Sequence, residues 1–413
     1  MIKLLTRAHL FLANCKGIMY SNLRYYVYRT LIPFKAWRIR HKDTIRILFV
    51  VSEISMWKTE NLYIKMSQNH RINPMLLACP NCVNSDSDIK VINYFKEKGY
   101  CYFNFTDIVS IEKDIFPDII FYQQAYPGYI SDELFESYNR KSLFCFVNYC
   151  FRNTITPSTI NLRLLNIAWK VFSENESVSK EIAPLMKNKG SNLVNTGLPI
   201  MDELIKVKEF FPDRWMPSKR TNKRIIYAPH HSILPDDKLS WGSIVEYGDF
   251  ILHLAKKYSD TTQWVFKPHP FLKEKLKKIW GDEKTTSYYQ QWELMENSQI
   301  VEGDYLDIFK HSDALIHDCG SFLIEYPYPL NPALYLFSHR PQHDIDISKL
   351  SILARDLHYH ANKYSDIESF ILNVISEIDP LREKREWFYY ENLKPKGKSA
   401  CDSIINEILG KHE

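Results

Sequence analysis

At 413 residues the chain exceeds what one hydrophobic core comfortably holds, so two domains of roughly 150–200 residues are expected. Hydrophobic residues at 45% and charged residues at 25% exclude wholesale disorder, and a net charge of +4 is too small to argue for a nucleic-acid partner. No run of about 18 apolar residues occurs, which excludes a helical bilayer span.

In chain order, residues 1–42 come first. They hold Lys3, Arg7, Lys16, Arg24, Arg29, Lys35, Arg38, Arg40 and Lys42 and no acidic residue, so the remainder of the chain is net acidic. Phe11, Tyr20, Tyr25, Tyr26, Tyr28, Phe34 and Trp37 are interleaved with these basic side chains. Two readings stand: a helix lying on anionic lipid headgroups, or a helix packed on the protein with a solvated basic face. Cys79 and Cys82 form a C-x-x-C without a second pair at zinc-finger distance. With no secretory leader in view, the eight cysteines read as reduced thiols of a cytosolic protein.

From Ile45 short apolar runs recur between polar stretches long enough for helices: Ile45–Val51, Met75–Ala78, Asp118–Tyr122, Leu143–Asn148, Trp169–Ser173 and Asn192–Thr196. Strands apolar on both faces that alternate with helices predict a parallel sheet covered on both sides. Thr196-Gly197-Leu198-Pro199 and the charged run to Arg224 predict an interdomain connection. A second series follows at Arg224–Ala228, Gln263–Lys267, Ala314–His317 and Ala333–Phe337, and from Asp366 the chain reads as amphipathic helices with a break near Pro395. The expected division is therefore a basic segment over 1–42, α/β domains over 43–200 and 223–365, and terminal helices over 366–413. Two such domains place a cleft between the carboxyl ends of two sheets, where open α/β folds bind ligands.

Three strands of the second series run into proton-active residues. They are Tyr227-Ala228-Pro229-His230-His231-Ser232, Phe266-Lys267-Pro268-His269-Pro270 and Ile316-His317-Asp318-Cys319-Gly320-Ser321. If the strands are parallel, His230, His231, Lys267, His269, His317 and Ser321 meet at one rim. Gly320-Ser321 before the apolar start Phe322-Leu323-Ile324-Glu325 suits a phosphate at a helix N-terminus, and Glu325, one turn on, is placed to accept from ribose hydroxyls. The plain alternative for Ser321 is a helix cap. Lys267 and His269 flank Pro268, and a cation beside an imidazole suits a diphosphate and a neutral ring able to act as base. Neither G-x-G-x-x-G nor a P-loop is present, and no ligand spacing demands a metal site of His230, His231, His317 and Asp318.

The order Y-A-P, K-P-H-P and S-D-A-L-I-H-D-C-G-S-F-L-I-E-Y with a following N-P-A-L resembles the CDP-glycerol glycerophosphotransferase family, the teichoic acid primases and polymerases and related capsule enzymes. The resemblance is specific over about 224–337 and looser upstream at Asp118–Gln124. It implies a GT-B-like fold of two facing Rossmann-type domains, monotopic membrane association, a CDP-alditol donor and a membrane-anchored polymer acceptor, with no cofactor required. His269 matches the histidine of the family's R-P-H-P, which the resemblance makes catalytic. Asp318, Gly320 and Ser321 match its D-Y-S-S donor loop, and Glu325 its later acidic residue; Lys267 joins them on the donor side. The chain departs from the family in two places. Where typical members carry Trp-His-Gly in the first domain, this chain reads Phe146-Val147-Asn148-Tyr149-Cys150, leaving Asn148 and Tyr149 as the acceptor-side candidates. Where members have Thr or Ser after Y-A-P, it has His230-His231. Either one of these histidines takes over proton abstraction, or donor and acceptor differ from the family's. A sugar-transferring GT-B enzyme with a nucleotide-sugar donor and a non-catalytic polymer-binding protein are the competing expectations. The expected location is the cytoplasmic face of the cell membrane, with peripheral attachment.

Overall fold

The computed structural model describes residues 27–81, 87–105, 116–126, 129–130, 142–218, 222–237, 239–340, 347–395 and 397–411. The expectations for residues 1–26 and for Cys82 lie outside them.

Two sheets divide the chain. The first holds β1 (Ile45–Val51), β2 (Ile72–Ala78), β3 (Tyr102–Asn104), β4 (Ile119–Tyr122), β5 (Leu143–Val147), β6 (Lys170–Ser173) and β7 (Leu193–Asn195). The second holds β8 (Lys223–Ala228), β9 (Thr262–Phe266), β10 (Ser298–Ile300), β11 (Ala314–His317), β12 (Ala333–Leu336) and β13 (Tyr359–Ala361). Every pairing is parallel, in the orders β3-β2-β1-β4-β5-β6-β7 and β10-β9-β8-β11-β12-β13. Each sheet starts at its centre and reverses direction next to its first strand, the doubly wound order that opens a crevice at that switch point.

The central strands form because their residues suit burial on both faces. β4, β5, β9, β11 and β12 are buried throughout. Within β8, Ile225 and Tyr227 join the core under the helices Ile244–Lys257, Leu272–Leu294 and Tyr364–Ile375, while Ile226 and Ala228 join the larger core that runs into the first domain. Sequence periodicity missed β3, β10 and β13. Each has three residues at or next to a sheet edge and is only partly buried, so none shows the continuous apolar run that marks a central strand.

A helix over residues 27–40 precedes β1. Its Ala36 and Ile39 are buried, and the Tyr28 hydroxyl donates to the Ser142 carbonyl at 3.1 Å, so one face packs on the first domain. Val27, Leu31, Phe34 and Trp37 lie on the other side, 44–61% exposed. The last helix, Ala400–Leu409, returns to the first domain. The Asp202 carboxylate accepts from the Ala400 and Cys401 N–H groups at 2.8 and 2.9 Å, capping this helix's N-terminus together with Ser399. At its other end Gly410 takes φ +70°, a left-handed cap, against the Arg40 guanidinium, which donates to the Glu407 carbonyl at 2.8 Å.

The two domains meet at the segment after β5. The Asn153 carbonyl accepts from Ser348 N–H, and the Asn153 side chain from Ser351 Oγ, both at 2.8 Å; Thr154 forms an antiparallel bridge with Ile347.

Candidate functional site

β9, β8 and β11 are parallel neighbours, so their carboxyl ends emerge at one edge of the second sheet. There His230, His231 and His269 meet. Their ring centroids lie 4.4, 5.4 and 4.1 Å apart, and one nitrogen from each falls within 4.8 Å of the others.

Hydrogen bonds decide which nitrogen carries the proton. Ser232 Oγ accepts from Trp241 and Gly242 N–H, so its own hydrogen is free for His230 Nδ1, 2.8 Å away; Ser232 N–H donates to the same nitrogen at 3.2 Å. His231 Nδ1 faces the Lys275 ammonium at 3.0 Å, which is itself paired with Asp237. His269 Nδ1 accepts from Phe271 N–H at 3.1 Å. An imidazole that accepts at Nδ1 bears its proton on Nε2. The cluster therefore presents three Nε2–H donors.

Burial, reinforced by the neighbouring rings and cations, keeps these imidazoles neutral. It lowers His269 to about 2, with His231, Lys267 and Lys275 adding to it, and His231 to about 4, with Lys275 adding. His230 falls well below the ordinary range for the same reason. A metal ion bound at Nε2 needs the ring proton on Nδ1, donated to a carboxylate or carbonyl. Here the Nδ1 atoms face donors instead, so the triad suits an anion rather than a cation.

Lys267, only 8% exposed, lies over the Tyr305 ring at 5.0 Å, and Lys58 of the first domain lies over the same ring at 4.6 Å. Burial, then the charge of Lys58, brings the Lys267 ammonium down to about 8. Among the described residues the Lys267 ammonium makes no hydrogen bond or ion pair, while its backbone N–H donates to the Tyr227 carbonyl. Glu325 is buried and accepts from the Tyr305 hydroxyl; burial pushes it up to about 7, against the pull of Tyr305, Lys58 and Lys267.

The third loop departs from expectation. His317 is wholly buried and turned from the rim, its ring against His358 and Tyr335. Asp318, also wholly buried, stands behind the rim. Its oxygens accept from His230 N–H at 2.5 Å and from Ser243 N–H and Oγ at 2.6 and 2.8 Å, so it braces the histidine loop. Burial raises its carboxyl to about 7 against these donors. The helix after Ser321, Phe322–Glu325, has four residues, too short for a strong N-terminal dipole, and Ser321 Oγ lies 3.4 Å from Cys319 Sγ. Gly320 permits a close approach: a Cβ there would lie 2.6 Å from the Trp241 ring and 3.1 Å from the Asn153 amide nitrogen across the seam. Asn148 and Tyr149 follow β5, where the Asn148 amide donates to the Cys150 carbonyl at 2.7 Å.

Sequence reading gave no role to Ser232, Trp241, Lys275 or Tyr305. The first three act through loop and helix contacts with no motif, and Tyr305 follows the short strand β10 that periodicity did not detect.

No protein-family model matches this chain. No curated protein matches it. Solved structures do. A wall teichoic acid polymerase, TagF, in a histidine-to-alanine variant, superposes with TM-score 0.58 at 13% identity, over 97% of each chain. UDP-GlcNAc 2-epimerase from Neisseria meningitidis, bound to UDP-GlcNAc, gives 0.56 at 16% identity, over 89% of this chain and 100% of its own. MnaA of S. aureus, with UDP, gives 0.56 at 15%, over 89% and 96%. At these identities the likeness establishes the fold: two facing Rossmann-type domains of GT-B type.

Proposed function

We propose that this protein is a transferase of cell-surface polymer synthesis that moves an alditol phosphate from a CDP-linked donor to a hydroxyl of a growing polymer. The observation that carries this reading is the cluster of three Nε2–H imidazoles beside Lys267, a buried ammonium that makes no ion pair among the described residues. Donors of this kind match a diphosphate and the charge that develops on a transferred phosphoryl group. The likeness of fold to a wall teichoic acid polymerase supports the polymer assignment.

In this reading the second domain holds the donor and the first the acceptor. The acceptor oxygen attacks the β-phosphorus of the donor, the bond from that phosphorus to the bridging oxygen breaks, and CMP leaves with the electron pair. The hydroxyl proton passes to solvent or to the leaving phosphate. Each of the three histidines meets a donor at Nδ1 and bears its proton on Nε2, so the triad serves as donor to phosphate oxygens rather than as base. A loose transition state of this type asks mainly for positioning and charge stabilisation, which His230, His231, His269 and Lys267 supply without a metal. Ser321 and the open lone pairs of Glu325 hold the donor.

A second reading, transfer from a nucleotide sugar, is favoured by the likeness of fold to structures holding UDP or UDP-GlcNAc. Incubation of the purified chain with CDP-glycerol, CDP-ribitol and UDP-GlcNAc separates the two. Release of CMP supports the first; release of UDP alone overturns it.

The exposed row Val27, Leu31, Phe34 and Trp37, with the exposed Arg38 beside it, suits peripheral contact with anionic lipid. Among the described residues no helix is long and apolar enough to cross a membrane. We place the chain at the cytoplasmic face, where a membrane-anchored acceptor is within reach.

A further inference from the structure

Arg152 stands four residues beyond Asn148, in the first-domain segment that meets the second domain. Its backbone N–H donates at 2.9 Å to Glu174, a buried carboxylate that also accepts from Ser173 Oγ. The next residue, Asn153, is tied to Ser348 and Ser351 across the seam. The main chain at Arg152 is thus held from both sides. Its guanidinium is not. Nε is closed off from solvent with no hydrogen-bond partner, and no ion pair is made with any described residue, although Glu174 lies next to the main chain. A buried donor left without a partner costs about 1–3 kcal/mol, so native structures rarely keep one unless a ligand, ion or water completes it. Arg152 lies beyond the carboxyl end of β5, and the side-chain amide nitrogen of the next residue, Asn153, stands 3.1 Å from where a Cβ on Gly320 would lie, so this segment borders the donor loop on the first-domain side of the cleft.

We propose that Arg152 forms a second phosphate subsite, on the first-domain side of the cleft, that takes the phosphate ester of the acceptor. A guanidinium presents a planar fork of donors matched to two phosphate oxygens, a geometry a lysine lacks. A phosphate held there selects acceptors that already carry alditol phosphate over neutral glycan ends. The acceptor assignment rests on the transferase reading; the subsite itself does not, since it is tested by binding without turnover.

The experiment is calorimetric titration of sn-glycerol 3-phosphate, glycerol and inorganic phosphate into the full chain carrying Lys267→Gln, which removes the donor-side ammonium. The same titrations are repeated with Arg152→Gln or Arg152→Lys added, and melting curves verify that each protein is folded. The ester should bind the Lys267→Gln protein, glycerol should not, and Arg152→Gln should weaken the ester about 10-fold to 100-fold, as for loss of a charge-assisted contact. Arg152→Lys should fall between them. Equal affinity with and without Arg152, or equal binding of glycerol, overturns the subsite. Inorganic phosphate binding as tightly as the ester overturns the acceptor assignment. Should Arg152→Gln fail to fold, the lysine variant decides: affinity unchanged from arginine overturns the proposal. Failure of the CDP-donor assay leaves these titrations untouched, so the two readings fail separately.

Discussion

His231 and His269 lie in surroundings that resist a positive charge, and this makes them sensitive in two ways. The first is stability. Above pH 6.5, the ordinary histidine value, folded and unfolded chains alike carry neutral rings. As the pH falls below it the unfolded chain takes up protons that His231 refuses until about 4 and His269 until about 2, so stability is lost with acid across that window. Asp318 and Glu325, raised to about 7, tilt the other way: their contribution is full below the ordinary carboxyl range and lost as pH rises through 7. Comparison with a variant isolates the imidazole. Melting temperatures of His231→Gln should decline less than wild type between pH 7 and 5, and parallel declines would refute the account. The second sensitivity is catalytic. Removing one of three preorganised donors should cost about 10²–10³-fold in kcat, the scale of losing one oxyanion donor. His269→Ala should show this in steady-state turnover with its melting point nearly unchanged, and full activity would remove the triad from the mechanism. Ser321→Ala should raise the donor KM and leave kcat nearly as it was, since a contact made before and after the transition state does not accelerate the step.

At the scale of elements, the terminal helices bind the chain's ends to the first domain. Ala400–Leu409 is capped by a carboxylate from another helix, and Asp202→Ala leaves two N–H groups without that acceptor. A loss of about 1–2 kcal/mol follows from cap and dipole together, readable as a shifted urea midpoint at constant slope; an unchanged midpoint would show that Ser399 suffices. The helix over 27–40 uses one face for packing and leaves Phe34 and Trp37 61% and 58% exposed. Phe34→Ser with Trp37→Ser should therefore spare the melting point and weaken co-sedimentation with anionic vesicles. Equal binding by the double variant would assign any membrane contact to other residues. Over residues 27–40 the basic segment packs on the protein through one face, and the vesicle measurement tests the lipid reading on the other.

For the whole molecule, the cleft depends on how closely two separately wound sheets approach. Gly320 lies where Trp241 and first-domain Asn153 converge, and an added Cβ has no room beside the indole ring. Gly320→Ala should separate the domains and raise the KM values for donor and acceptor together; unchanged kinetics would mean that the seam yields at no cost. Much of this architecture was legible in the residues themselves. Runs such as Ile119–Tyr122 and Ala314–His317 are apolar on both faces, and only a parallel sheet covered by helices buries both. The parallel order then makes the ends of β8, β9 and β11 neighbours, so the meeting of His230, His231 and His269 followed from local pattern plus one topological rule. The direction of each side chain did not. His317 and Asp318 sit in the same loop grammar as His230 and Lys267, yet one turns into the core and the other back onto main-chain N–H groups. That choice depends on which partner lies across the turn, and Ser243 and His358 are 75 and 41 residues away in sequence. Edge strands of three residues, the tautomers set by Ser232, Lys275 and Phe271, and the burial of Arg152 Nε without a partner among the described residues likewise depend on contacts between distant segments. Periodicity reports the solvent exposure of a segment's own faces, so the sequence by itself determined the layers and their order. Only the tertiary structure decided which groups point into the cleft, because that is settled by pairs of residues that no local pattern brings together.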